Sequence, residues 1–250
     1  MISGWIMAGL WGLLAGSALL IGAIFAYFLK IPQRIVASIM AFGAGVLLSA
    51  ISLELMEESF NLGGFSNMAV GFIIGALIFT LVNKLLSIYG AKHRKRSGEL
   101  LKEQASESSS LAIAIGSIID GIPESIAIGI TIISGGAVSI ATVVAIFISN
   151  IPEGLSSTAG IRKAGWSFGS IFAMWVIIVI ISSIASLAGY AVFSHFPDGV
   201  NSITLALAAG GILAMLVDTM IPEAFSETHD MAGLITVLGF VISFMLSKMG

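Results

Sequence analysis

Apolar residues in this chain run on for about twenty positions at a time, and polar residues collect in the gaps between the runs. The runs do not alternate with period two, which argues against a β-barrel. Each is long enough to cross a bilayer core as a helix. In hydrocarbon every backbone N–H and C=O must be paired internally, so the runs are read as helices. Eight spans follow, at 5–29, 33–56, 66–90, 110–134, 137–160, 168–193, 202–221 and 232–248. The turns at Lys30–Pro32, Gly135–Gly136 and Ile161–Ser167 are short. The one long polar segment, 91–110, is charged and poor in aromatic residues, and is expected to be a flexible loop. The first run is too long for a signal-peptide core and reads as a retained span. No boundary suggests a second domain, so a single membrane domain over 1–250 is expected.

Composition agrees. The chain is 57% hydrophobic and 10% charged, where a soluble domain carries about a quarter charged residues. Most of its surface therefore faces something other than water. It has no cysteine, which excludes a disulfide framework, a thiolate metal site and a Cys nucleophile. The net charge of −3 and the lack of a basic face give no sign of nucleic-acid binding. Charge also orients the spans, because Lys and Arg accumulate in cytoplasmic loops. With the N-terminus outside, every Lys and Arg except Lys248 falls on the inner side. Both termini are thus expected outside.

A repeat runs through the pattern. Ala44–Phe60 resembles Ala209–Phe225, with Gly45 over Gly210 and Glu58 over Glu223. These segments are spans two and seven, which run in opposite directions in this topology. An inverted repeat, three spans plus two plus three, is expected, with a substrate site near the midplane.

The candidate chemistry sits in spans four and five. Span four holds Asp120-Gly121-Ile122-Pro123-Glu124-Ser125, and span five holds Ser149-Asn150-Ile151-Pro152-Glu153-Gly154. Asp120 and Glu124 are four apart and share one helical face. Ser149, Asn150 and Glu153 form a comparable stripe. As antiparallel neighbours across a tight turn, the two spans can face their stripes across one cavity. Each proline frees a carbonyl one turn back, at Ile119 and Ile148. Each midplane acid costs about 2.5–3.5 kcal/mol on insertion scales, and no Lys or Arg lies at that depth as counter-charge, Lys84 sitting near the inner end of span three. The missing partner is most simply a cation. A set of carboxylates, amide and hydroxyls suits Mn²⁺, Fe²⁺, Mg²⁺ or Zn²⁺.

Plainer readings stand beside this one. A single buried acid can be a proton relay. Ser117, Thr131 and Ser156 read first as hydroxyls that bond a neighbouring helix. Glu57 and Glu58 read as solvated headgroup-level acids, and Glu227, His229 and Asp230 as a wet loop. His93 and His195 also fall in loops. Gly43, Gly45, Gly71 and Gly75 read as close-packing positions.

At these motifs the chain resembles the ZIP (Zrt/Irt-like) family of divalent-metal transporters, particularly its bacterial members. That family's fourth span typically reads His-Asn-x-Pro-Glu-Gly, and its fifth has a Pro-His-Glu or Pro-Glu-Gly core. Here the counterparts are Asp120 to Ser125 and Pro152-Glu153-Gly154, with Ile221-Pro222-Glu223 in span seven. The resemblance implies eight spans with both termini outside, inward movement of metal by alternating access, and a homodimer. It puts Asp120, Glu124 and Glu153 on the central metal ligands, with Ser149 and Asn150 lining the same site. Asp218 falls near the cytoplasmic exit, and Glu54 where span two approaches the pathway from outside. Asp120 replaces the usual histidine, Gly121 the asparagine and Asn150 an acid, which favours harder ions and a single metal.

The expected function is uptake of Zn, Fe or Mn type ions across the inner (plasma) membrane, with no enzymatic step and no cofactor. Metal would pass Glu57, Glu58 and Glu54, bind at the span four and five carboxylates, and leave towards Asp218 and Glu223. The alternative is proton-coupled transport of another cation, such as Mg²⁺ or an organic cation.

Overall fold

A computed structural model describes residues 3–86, 107–135 and 138–249. Among the described residues the chain is all helical. The helices are α1 (Gly4–Phe28), α2 (Gln33–Ala50), α3 (Met56–Leu86), α4 (Glu107–Gly135), α5 (Ile140–Lys163), α6 (Phe168–Phe193), α7 (Asp198–Met215), α8 (Ile221–Thr228) and α9 (Met231–Met249). Most of the expected 91–110 loop lies outside the described residues, but its last residues already belong to α4.

Among the described residues, seven segments are long and apolar enough to cross a membrane, and one of them, Gln33–Leu85, is 53 residues long. It runs through α2, a π turn at Ile51–Leu55, and α3. Its helical path breaks at Gly64, where φ is 70° and ψ is −179°. That region of backbone space is open almost only to glycine. No atom would obstruct a Cβ there, so conformation and not space demands the glycine. A second π turn, Leu216–Met220, joins α7 to α8.

The surface is apolar and the interior unusually polar. Ile73, Leu77 and Leu81 of α3, and Val237, Val241 and Met245 of α9, are exposed. Ser49, Ser59, Thr142, Asn201 and Ser202 are buried, along with four carboxylates. This inversion fits a protein whose surroundings are hydrocarbon.

Glycines set the helix pairs. α1 lies along α5 and α6, α4 on α6, α2 on α9 and α5, and α3 on α7. In the α2/α9 pair, a methyl on Gly45 would strike the Thr236 carbonyl, and one on Gly239 the Phe42 carbonyl. In the α7/α3 pair, Gly210 meets the Phe72 carbonyl and Gly75 the Leu207 carbonyl. A shift of 165 carries Phe42 and Gly45 onto Leu207 and Gly210, and a shift of 164 carries Phe72 and Gly75 onto Thr236 and Gly239. The same 165 carries the first π turn, Ile51–Leu55, onto the second, Leu216–Met220.

The remaining helices behave alike. In α1/α5, Gly22 meets the Ile151 carbonyl and Gly154 the Leu19 carbonyl. In α6/α4, Gly189 meets the Ile126 carbonyl and Gly129 the Ser186 carbonyl. Here shifts of 167 (Leu19 and Gly22 to Ser186 and Gly189) and 25 (Ile126 and Gly129 to Ile151 and Gly154) relate the two pairs. All four pairs are parallel. α1 crosses α6 antiparallel, with Gly4 beside Tyr190 and Tyr27 against Phe168.

Candidate functional site

Pro123 and Pro152 lie inside α4 and α5, one position before Glu124 and Glu153. Asp120, Glu124 and Glu153 are 6%, 3% and 7% exposed, as buried as the apolar core. Asn150 is buried on the same face of α5 and donates from its amide nitrogen to the Ala15 carbonyl of α1 at 3.1 Å. That bond fixes the side chain and leaves the amide oxygen as its acceptor end.

The sequence reading set α4 and α5 face to face. In the structure they touch only over a short stretch, because the Gly129/Gly189 contact holds α4 on α6 and the Gly22/Gly154 contact holds α5 on α1. Asp120 lines a cavity of about 60 Å³ between α3, α4 and α7, with Phe79, Pro123 and Met215. Among the described residues, no three acidic or histidine side chains form a ready-made metal cage. The two Pro-Glu motifs align at a shift of 29, from Glu124 to Glu153, whereas the packing of their helices aligns at 25. Motif and packing registers thus differ by about one helical turn. The packing counterpart of Glu153 is Ile128, not Glu124.

Hydroxyls near the carboxylates mostly turn back on their own helices. Thr131 donates to the Ile128 carbonyl at 2.8 Å, Ser149 to Ile146 at 2.9 Å and Ser156 to Glu153 at 3.3 Å. The bonds expected from Thr131 and Ser156 to neighbouring helices are replaced by these local ones, which a helical Ser or Thr makes readily.

The acids of span two do come together. A vestibule of about 500 Å³ opens at one end of the bundle, walled by Glu54, Glu57, Glu58, Asn61, Thr131 and Ser139. Glu54 sits on the first π turn, half-buried, and accepts from Ser139 at 2.8 Å and from Ser247. Neither serine was singled out in the sequence. Ser139 could have been, because it stands directly before an apolar run as an N-cap does. Lys248 also lines this vestibule, while Arg162 and Lys163 lie at the opposite end, in the last turn of α5. Arg162 donates to the Tyr27 carbonyl at 2.6 Å and stacks over that ring. On the α7 side, Asp218 is exposed on the second π turn, and Glu223 is buried in the first turn of α8.

Comparison with known proteins bears on this arrangement. The chain is 27% identical over 237 residues to the zinc transporter ZupT of Chlorobaculum parvum, spanning 87% of this chain and 88% of that protein. It is 23% identical over 210 residues to an Arabidopsis thaliana protein provisionally named a zinc transporter. That match takes in 83% of this chain and 33% of the plant protein, so the chain spans about a third of that relative's length. The model of the ZIP zinc transporter family matches residues 90–247. With more than half of its length matched, the chain belongs to the ZIP zinc transporter family, as a multi-pass membrane transporter of divalent metal ions and not an enzyme, for which the metal is cargo and not cofactor.

Proposed function

We propose that this protein takes up zinc, iron or manganese type ions into the cytoplasm across the inner (plasma) membrane. The carrying observation is the burial of Asp120, Glu124 and Glu153 inside two proline-interrupted membrane helices. Lipid-embedded acids of this kind mark ion pathways, and an all-oxygen set suits hard or borderline divalent ions.

The proposed topology has eight crossings with both termini outside. As one straight helix Gln33–Leu85 would be about 80 Å long, far more than a bilayer core of about 30 Å. The break at Gly64 divides it into two crossings. The paired glycine contacts and the paired π turns support an inverted repeat of three, two and three spans. The basic end is cytoplasmic and the acidic vestibule external.

In the proposed path, the vestibule carboxylates Glu57, Glu58 and Glu54 gather cations. One metal then binds to Asp120, Glu124 and Glu153 with the Asn150 oxygen assisting, and leaves past Asp218 and Glu223. Binding requires α4 and α5 to approach, and their light mutual contact leaves them room to do so. Assembly as a homodimer completes the reading.

Uptake into proteoliposomes tests it, with Zn²⁺, Fe²⁺ and Mn²⁺ set against Mg²⁺ and an organic cation. Accumulation of one or more of the first three is expected. Uptake of only Mg²⁺ or the organic cation would contradict the proposal and support the alternative substrate class.

A further inference from the structure

Glu54 holds three helices at one point. Its carboxylate accepts from Ser139 through Oε2 at 2.8 Å and from Ser247 through Oε1. Ser247 lies in the last turn of α9, and α9 is already fixed to α2 by the Gly45 and Gly239 contacts. Ser139 belongs to the other part of the bundle. It caps α5, where its hydroxyl also accepts from the Thr142 N–H at 3.2 Å, and α5 is fixed to α1 by Gly22 and Gly154. The Ser139–Glu54 bond therefore ties the α2/α9 pair to the α1/α5 pair at the acidic end. Hydrogen bonds to a charged group are worth about 1.5–3 kcal/mol each, enough to bias two conformations that differ by a few kcal/mol.

Close to that bond, α5 carries a buried hydroxyl without a partner. Gly43 of α2 packs on Ser149 of α5, and Thr142 lies two turns from Ser149 on the same side of that helix. Thr142 is 1% exposed, and its hydroxyl makes no hydrogen bond. A buried orphan hydroxyl is penalised by about 1–3 kcal/mol. An unfavourable burial thus lies one turn along α5 from Ser139.

The positions equivalent to Glu54 and Ser139 carry different side chains. The shift of 165 that superposes the π turns puts Thr219 in the place of Glu54, and its hydroxyl donates to Met215 of its own helix at 2.6 Å. The shift of 25 between α4 and α5 puts Ala114 in the place of Ser139. Alanine has no hydroxyl to donate. Resting on the inverted repeat proposed above, we propose that Glu54 and Ser139 form a one-sided latch that keeps the helices closed beneath the acidic vestibule, and that the absence of its counterpart at Thr219 and Ala114 biases the protein towards opening at the basic end.

The chain has no cysteine, so single thiols can report each end. Thr142→Cys lies close to the latch, and Ser117→Cys is its counterpart under the same shift of 25; both positions are buried. Labelling by a membrane-impermeant maleimide is measured for each, in the parent and with Glu54→Ala, Glu54→Gln or Ser139→Ala added. We expect Thr142→Cys to label about tenfold faster with Glu54→Ala and with Ser139→Ala, a shift of about 1.4 kcal/mol in the opening equilibrium. Glu54→Gln keeps one acceptor and should fall between parent and Glu54→Ala. Ser117→Cys should label no faster in any of them. An unchanged Thr142→Cys rate overturns the latch, and so does an equal rise at both thiols, which signals general loosening. Since labelling needs no transported metal, failure of the latch and failure of the metal reading are separate results.

Discussion

Asp120 stands where the resemblance placed a histidine, and that exchange governs the chemistry expected of the site. A carboxylate is a harder donor than imidazole, so the proposed set Asp120, Glu124, Glu153 and Asn150 is expected to discriminate less in favour of Zn²⁺. Asp120→His should raise the ratio of Zn²⁺ to Mn²⁺ uptake by about tenfold, a change of about 1.4 kcal/mol, read by competition in one vesicle preparation. An unchanged ratio would mean that Asp120 does not touch the ion. The burial of these acids was legible from their positions in long apolar runs. Their orientation was not. Asp120 faces α3 and α7 across a small cavity, and nothing local to its motif encodes which neighbour α4 will choose. Ser247, which holds Glu54, gave no signal at all, because a lone serine near a helix end has many ordinary uses.

Most helices were readable to within a few residues of their ends, since hydrocarbon demands long uninterrupted segments with internally paired backbones, but α3 starts at Met56, ten residues before the expected span. Span six, expected at 168–193, is α6 over Phe168–Phe193. The π turns were not readable, because a one-residue widening of a helix arises from packing and leaves little compositional trace. The motif match between α4 and α5 misled for a related reason. Glycine contacts with α6 and α1 set the register of those helices, one turn away from the register in which the Pro-Glu motifs align. The Gly45/Gly210 match, by contrast, was visible in the sequence and proved to mark equivalent contacts. At Gly64 the backbone demands glycine although space does not. Gly64→Ala should therefore destabilise the protein by about 1–3 kcal/mol, seen as a lower unfolding midpoint in detergent. A midpoint equal to the parent's would show that the chain turns there in some other conformation.

Taken as a whole, the molecule is two sets of helices with a polar interior and an apolar exterior, open at one end through an acidic vestibule. If the buried carboxylates bind the transported ion in the folded protein and not in the unfolded chain, metal must stabilise the fold. At one hundred times its dissociation constant, that linkage amounts to about 2.7 kcal/mol. Thermal unfolding should rise with Zn²⁺ in the parent, and the rise should vanish in Glu153→Ala. An equal rise in both would place the stabilising ion elsewhere. The most direct measurement is radiotracer Zn²⁺ uptake into proteoliposomes by the parent, Glu124→Ala and Glu153→Ala, with equal amounts of protein inserted. The account predicts time-dependent uptake by the parent and a loss of at least about tenfold in each variant, corresponding to about 1.4 kcal/mol or more. Parent-like uptake by both variants would contradict it.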